Sequence, residues 1–417
     1  MKQFSSANSR RFGSSALALA AALVAQPVAA QSVLAVTGAN LNFNGSDISG
    51  PVIETSGTFT RMLGTGAGQV QWTGSGGFAA RGGTLTVNLS GTPQLEWGHD
   101  LFVPQGSALV FGSQNSDSGV IFVDDIDLDG STGLIVARRN PQLAVDVTLT
   151  GNISDGSMQF NSASHAGNIT LSQRHFYTGS TLIAGGTLSL STAGSLDRSS
   201  VVEVAEGAVL DVTAQTDNNT AIRTLAGEGR VTLGATTLEI TAGSTGFDGV
   251  ISGTGGLDIL GGRQALGGAS DFTGATRVTS GATLAMTGGG SIARSAVQLN
   301  GTLDISGTDE GSAIGAVTGP GSIVLGGGQL TITAASGNFS GSITGSGGIT
   351  IAGGTQGITR ATAFTGQAVV AQGAALVLSG NGTMNQASRV VVNGRLDIAA
   401  SREAQTFRSL AGASTGV

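Results

Sequence analysis

The chain contains no cysteine in its 417 residues, and its only lysine is Lys2. Disulfides and thiolate chemistry are therefore excluded, and beyond position 2 so are Schiff-base lysines and Walker-type phosphate loops. Charged residues make up 11% of the chain and aromatics 4%. The formal charge of −7 and pI near 4.9 argue against a general binder of nucleic acid or anionic membranes, which would show basic clusters. No apolar run approaches the roughly 20 residues needed to cross a bilayer. The nearest, Ala16 to Ala25, follows Lys2, Arg10 and Arg11 and leads to the small residues Val28, Ala29 and Ala30. This pattern predicts a signal peptide over residues 1–30, cut before Gln31. Phe12 follows the arginine pair too closely for a twin-arginine signal, so ordinary Sec export is expected.

What the chain has in quantity is glycine, 70 residues, against an average usage of about 7%. Disordered chains combine low hydrophobicity with high net charge, whereas this one is 40% apolar with a mean hydropathy of +0.22. Its valines, leucines and isoleucines alternate with Thr, Ser and Asp over short runs, the period of strands with one buried face.

A long internal repeat organises these runs. Tyr177-Thr-Gly179 returns as Phe272-Thr-Gly274 and again as Phe364-Thr-Gly366. Leu210-Asp211 returns as Leu303-Asp304 and Leu396-Asp397, and Phe247 to Leu257 returns as Phe339 to Ile349 with every glycine in register. The step is 92 to 96 residues. Weaker echoes at Gly151–Gly156 and Val103–Val110 extend the repeat over residues 102–417, with 31–101 read as an N-terminal cap and first coils. Strands of four or five residues cannot stand alone, but stacking coil on coil buries their apolar faces and covers their edges. Gly and β-branched residues argue against a helical solenoid, and a sandwich gives no reason for the step. The expectation is an all-β, right-handed parallel β-helix, a β-solenoid. At about 20 residues per coil and about 4.8 Å rise, it has some 16 to 19 coils and a length of roughly 80 to 90 Å.

The run Phe339-Ser-Gly-Ser-Ile-Thr-Gly-Ser-Gly-Gly-Ile349 followed by Phe364-Thr-Gly-Gln-Ala-Val-Val-Ala-Gln-Gly373 resembles the autotransporter-associated β-strand repeat. Gly77 to Leu89 resembles the region that often precedes such repeats. The resemblance implies a passenger carried to the cell surface by a C-terminal outer-membrane β-barrel. That barrel is not in the sequence, and the last residues to Val417 break off where earlier copies continue at Leu225-Ala-Gly and Val317-Thr-Gly, so the chain reads as a fragment or truncated product.

Candidate chemistry is sparse. Asp125-Ile-Asp-Leu-Asp-Gly130 has the oxygen spacing that opens a calcium loop, but the closing position is Val136 rather than Glu. The competing reading is a strand with Ile126 and Leu128 inward and Asp125, Asp127 and Asp129 wet. His99, His165 and His175 are too scattered for a metal site and read as exposed turn residues. No Gly-x-Ser-x-Gly elbow is present, and Gly64-Thr-Gly-Ala-Gly68 lacks the following helix of a phosphate loop. Trp72 and Trp97 fit core positions better than sugar platforms. No catalytic, cofactor-binding or metal residue is therefore assigned, and no cofactor. The functional expectation is a non-enzymatic adhesin or structural rod of a type V secretion passenger, at the surface of a Gram-negative-type bacterium or released from it. Its expected partners are the absent barrel and glycans or proteins of host or neighbouring cells, not nucleic acid. The alternatives are a β-helical polysaccharide-active enzyme and a stalk for an enzyme domain outside this chain.

Overall fold

The computed structural model describes residues 33–36, 38–89, 94–144, 146–215 and 219–413; residues 1–30, where a signal peptide is expected, lie outside them. Strands of two to four residues dominate because most coil segments offer only a short apolar–polar alternation before a Gly, Asn or Asp turns the chain. Val202–Val204 and Thr276–Val278 each bury their outer two residues and expose Glu203 and Arg277. The inward residues merge into one core from Leu41 to Val392. The described residues form a parallel β-solenoid of about 19 turns without a helix.

The registers resolve three columns of stacked strands. One runs through Gly246, Ala265, Ala285, Asp304, Val324, Thr344 and Ala363. A second contains Ser189, Asp211, Thr232 and Ser252 and, later, Ile314, Ile332, Ile351 and Val370. The third contains Ala221, Glu239, Asp258, Arg277, Gln298 and Thr318. The first column takes 117 residues for six coils, Gly246 to Ala363, or about 19.5 per coil. A 92-residue repeat therefore spans close to four and two-thirds coils, and each copy is turned by a third of a revolution from the last. Val231 lies in the second column, and its copy Ile323 in the first. Asp258 lies in the third, and its copy Thr350 in the second. Ala265 lies in the first, and its copy Gly357 in the third. Backbone conformation follows the copies: Gly227 and Gly319 have φ of 100° and 104°, Gly253 and Gly345 of 129° and 124°.

Coils are longer near the N-terminus. Along the first column Val52, Gly77, Val110 and Val136 are successive partners, steps of 25 to 33 residues. A wider coil leaves a wider interior, which aromatics fill. Phe43, Phe59, Trp72, Phe78, Trp97 and Phe102 form a continuous ring cluster with centroids 4.7 to 5.9 Å apart. Such pairs add about 0.5–1.5 kcal/mol each beyond their burial. The narrower later coils are filled by Ile, Leu and Val, with Phe247, Phe272, Phe339 and Phe364 at recurring corners. On the outer side of the early first column, Val52, Ala79, Ala108, Val110 and Val136 form a second apolar cluster against which Ile48 and Leu134 pack.

Candidate functional site

In the coils that begin at Ala108, Thr132 and Ser157 the extra length is spent largely at one corner, between the first and second columns. There the connections 112–119, 138–146 and 161–167 stack on one another, while the same corner needs only residues 184–186, 205–208 and 228–229 in the next coils. Extra residues looping from one face of a solenoid are where recognition surfaces are usually built. Short polar side chains hold this wall together. Asp146 accepts hydrogen bonds from the Asn140 amide at 3.1 Å and the Asn168 amide at 2.7 Å, and burial raises its pKa. Arg139 donates to Asn168 Oδ1 at 2.8 Å, and Asn168 Nδ2 donates to the Ala144 carbonyl at 2.8 Å. Asn161, in the left-handed region at φ 61°, accepts from the Ala137 amide and donates to the Gly167 and Gly185 carbonyls, tying adjacent coils. Arg138 is half-buried, and its Nε and Nη2 are shielded without a partner among the described residues. Burial lowers its pKa, opposed by attraction to Asp47.

A second concavity opens on the third column. A cleft of about 350 Å³ is lined by Arg174, Ser195, Asp197, Gln215, Asn219 and Glu239, contributed by successive coils. Arg174 pairs with Asp197 through Nη2 and, at 3.4 Å, through Nε. Ser195 donates to Asp197 at 2.9 Å, Gln215 donates to the Ser191 and Gly194 carbonyls, and Asn219 donates to Glu239 at 3.0 Å. One rung along from the Arg174–Asp197 pair, between the same two segments, the Arg198 guanidinium lies 5.1 Å from the centroid of Phe176. Phe176 is 41% exposed.

The three aspartates of the calcium-like segment do not converge. Asp125 accepts from the Asn152 amide at 2.7 Å, Asp127 from the Asp129 amide at 3.0 Å, and Asp129 pairs with His99 at 3.0 Å. Ile126 and Leu128 are buried, so the segment is a strand entering a turn. The Asp127 bond to the amide two residues on is repeated by Asp211, Asp304 and Asp397. It is the corner device of the repeat. Among the described residues no group of three or more His, Asp or Glu side chains is placed to hold a metal ion.

Of the three histidines, only His99 is the exposed turn residue expected. His165 and His175 are 4% and 1% exposed. His175 occupies the position of Ser270 in the next copy, and both accept an amide from the preceding coil: His175 Nδ1 from Ile153 at 3.0 Å, Ser270 Oγ from Ile251 at 3.1 Å. Burial lowers the His175 pKa to about 4. His165 Nδ1 lies 3.1 Å from both Ser162 Oγ and Ser164 Oγ, and burial lowers its pKa also. The sequence hides this because one residue decides which way a side chain faces at a corner. Trp72 and Trp97 are core residues, 2% and 0% exposed. Gly64 to Gly68 is a turn held by the Gln69 side chain accepting from Gly66 at 2.8 Å. The sequence reading passed over Phe176, although its copies Asp271 and Ala363 show it as the odd aromatic at an outward position.

No family model, no curated protein and no solved structure matches the chain.

Proposed function

We propose that the chain is a non-enzymatic passenger of the autotransporter type, exported by its signal peptide and acting at the cell surface as a spacing and adhesive rod. The observation that carries this reading is the coil stack itself. Parallel pairing runs from Val33 to Gly412 along the described residues, and each repeat is turned by a third of a revolution. Repeated chemistry is thereby spread around all three faces instead of being lined up in one groove, which suits a rod whose work is to extend. The looped corner at 112–119, 138–146 and 161–167 supplies an elaborated surface suited to contact. The repeat motifs noted in the sequence support delivery by an outer-membrane barrel.

The test is display. The chain fused ahead of an outer-membrane barrel and expressed with residues 1–30 intact is expected to be shaved from whole cells by added protease and to be retained inside when residues 1–30 are deleted. Protection from protease on intact cells, with the barrel inserted, overturns the assignment. The polysaccharide-active alternative is favoured only by the two carboxylates Asp197 and Glu239 in the cleft. Polysaccharide turnover by purified residues 31–417 that is abolished by Glu239→Gln would establish it over the rod.

A further inference from the structure

We propose that residues 44–51 and 161–167 are the two arms of an acid-opened clasp on the outer face of the first column, with His165 as the group whose protonation releases it. In the early coils alternate strand residues face the core, among them Ile53, Ala80, Leu109 and Ile135. Their neighbours Val52, Ala79, Val110 and Val136 face outward and are nevertheless 0% exposed. Apolar side chains on an outer sheet face stay dry only under a cover. The first arm is closed at its base by the antiparallel pairing of Gly45 with Ser75, and it lays Ile48 on the apolar strip. The second arm is a hairpin in which Ser162 pairs with His165. It closes on Ala137, next to Val136, through the Gly167 amide and Asn161 Oδ1.

Three groups hold the arms together. Burial lowers the His165 pKa, Arg138 lowers it further, and Asp47 of the first arm opposes both. Asp47 likewise opposes the effect of burial on Arg138. Other charged groups on the neighbouring segments are engaged elsewhere: Glu54 by Arg81 and Asn115, Asp117 by the Gly82 amide, Asp146 by the Asn140 and Asn168 amides, and Arg139 by Asn168. The hairpin itself offers His165 two hydroxyls, Ser162 Oγ and Ser164 Oγ, each 3.1 Å from Nδ1. With His165 neutral, the closed clasp holds one cation and one anion. Protonation sets a second cation near Arg138, whose Nε and Nη2 are already shielded without a partner among the described residues, and a single carboxylate cannot balance both. It also turns Nδ1 from an acceptor toward those hydroxyls into a donor. The stability that the neutral ring contributes is whole above pH 6.5 and is lost as pH falls below it, because the opened arm takes up the proton first. Acid thus uncovers an apolar strip that neutral pH keeps dry.

The experiment is hydrogen–deuterium exchange read by mass spectrometry on purified residues 31–417 at pH 7.5 and pH 5, with rates corrected for the pH dependence of chemical exchange. The reporters are peptides covering 44–51 and 161–167, in which the amides of Gly45, His165 and Gly167 are bonded in the closed clasp. Exchange in both is expected to be roughly tenfold faster at pH 5, while the strand Ile349–Ile351 keeps its protection. His165→Gln, neutral at both pH values, should abolish the acceleration. His175→Ser should keep it, which separates the clasp from the acid response of that buried ring. Asp47→Asn retains the acceptor for the Ser49 amide but removes the balancing charge, and should loosen both arms already at pH 7.5. Far-UV circular dichroism matching the parent establishes that the variants keep the coil. The proposal is overturned by an absence of acceleration at pH 5, by equal acceleration in His165→Gln, or by arms as protected in Asp47→Asn as in the parent. None of these outcomes bears on surface display, which the protease experiment reads separately.

Discussion

At the residue scale, the two clear copies of the repeat act as natural substitution experiments on each other. Gln264 and Gln356 are 0% and 1% exposed, and each donates its amide to carbonyls on three coils: Leu225, Thr245 and Ala265 in one copy, Val317, Gly337 and Gly357 in the other. In the first copy Gln264 Oε1 accepts from Thr224 Oγ1 at 3.3 Å and from the Leu225 amide at 3.1 Å. In the second, Ala316 replaces that threonine, and Gln356 Oε1 is buried without a partner. A buried acceptor left unmade costs on the order of 1–3 kcal/mol. Ala316→Thr should therefore stabilise the protein by about 1 kcal/mol, read as a rise in the urea midpoint. The gain should vanish in a Gln356→Met background, where no acceptor remains; a gain equal in both backgrounds would mean the threonine acts by something other than this bond.

His175 gives the chain a pH dependence whose sign is fixed by burial. Its folded pKa is about 4 against an ordinary 6.5, so the unfolded chain takes up the proton first as pH falls. Stability contributed by the neutral ring is whole above pH 6.5 and is lost between pH 6.5 and 4. For this group alone the loss reaches on the order of 3 kcal/mol by pH 4. His175→Ser installs the residue that the next copy uses at the same position. The variant is expected to lose less stability than the parent between pH 8 and pH 5, measured as urea midpoints at each pH. Parallel losses in the two proteins would exclude His175 as the titrating group.

At the scale of the element, glycine marks where coils touch. A Cβ on Gly249 would lie 1.9 Å from the Gly229 carbonyl oxygen, and one on Gly341 would lie 1.9 Å from that of Gly321. These paired distances, 92 residues apart, show that the recurring Phe-x-Gly begins a turn pressed against the coil below. Gly345 adds a positive φ of 124° and would place a Cβ 2.7 Å from the Gly326 carbonyl oxygen. Gly345→Val should destabilise its coil by on the order of 1–3 kcal/mol from backbone strain and open it to protease, with new cleavage mapping near residue 345. Thr344→Ser should leave both readouts unchanged. Equal midpoints for the two variants would remove the structural reason for the retained glycines.

At the scale of the molecule, each coil touches only its neighbours, so stability sums over adjacent interfaces. Both tryptophans lie in the early aromatic coils, and the later coils are packed mainly by aliphatic side chains with phenylalanines at recurring corners. Tryptophan fluorescence thus reports the N-terminal coils alone, while far-UV circular dichroism reports all of them. Unfolding in urea is expected to show a later midpoint by fluorescence than by circular dichroism, because the wider coils bury more surface per interface. Coincident midpoints would mean that the stack unfolds as one cooperative unit.

The sequence by itself determined the all-β class, the repeat and the glycines that recur with it; the coil length, about 19.5 residues in the later coils and 25 to 33 in the early ones, came from the strand registers. Each of these rests on local periodicity: alternation buries one strand face, and a glycine that recurs with the repeat marks a turn wherever it lies. The inward placing of Ile126 and Leu128 was legible for the same reason. Only the tertiary structure decided that a 92-residue copy ends a third of a turn short of its starting face, because column registers, not intervals along the chain, fix the pitch. It also decided that His165 and His175 are buried, that Asp125, Asp127 and Asp129 face separate partners, and that Arg174, Asp197 and Glu239 line one cleft. The physical reason is common to all three. Residues about 20 positions apart become neighbours only when coils stack, and a shift of one residue at a corner sends a side chain to the opposite face.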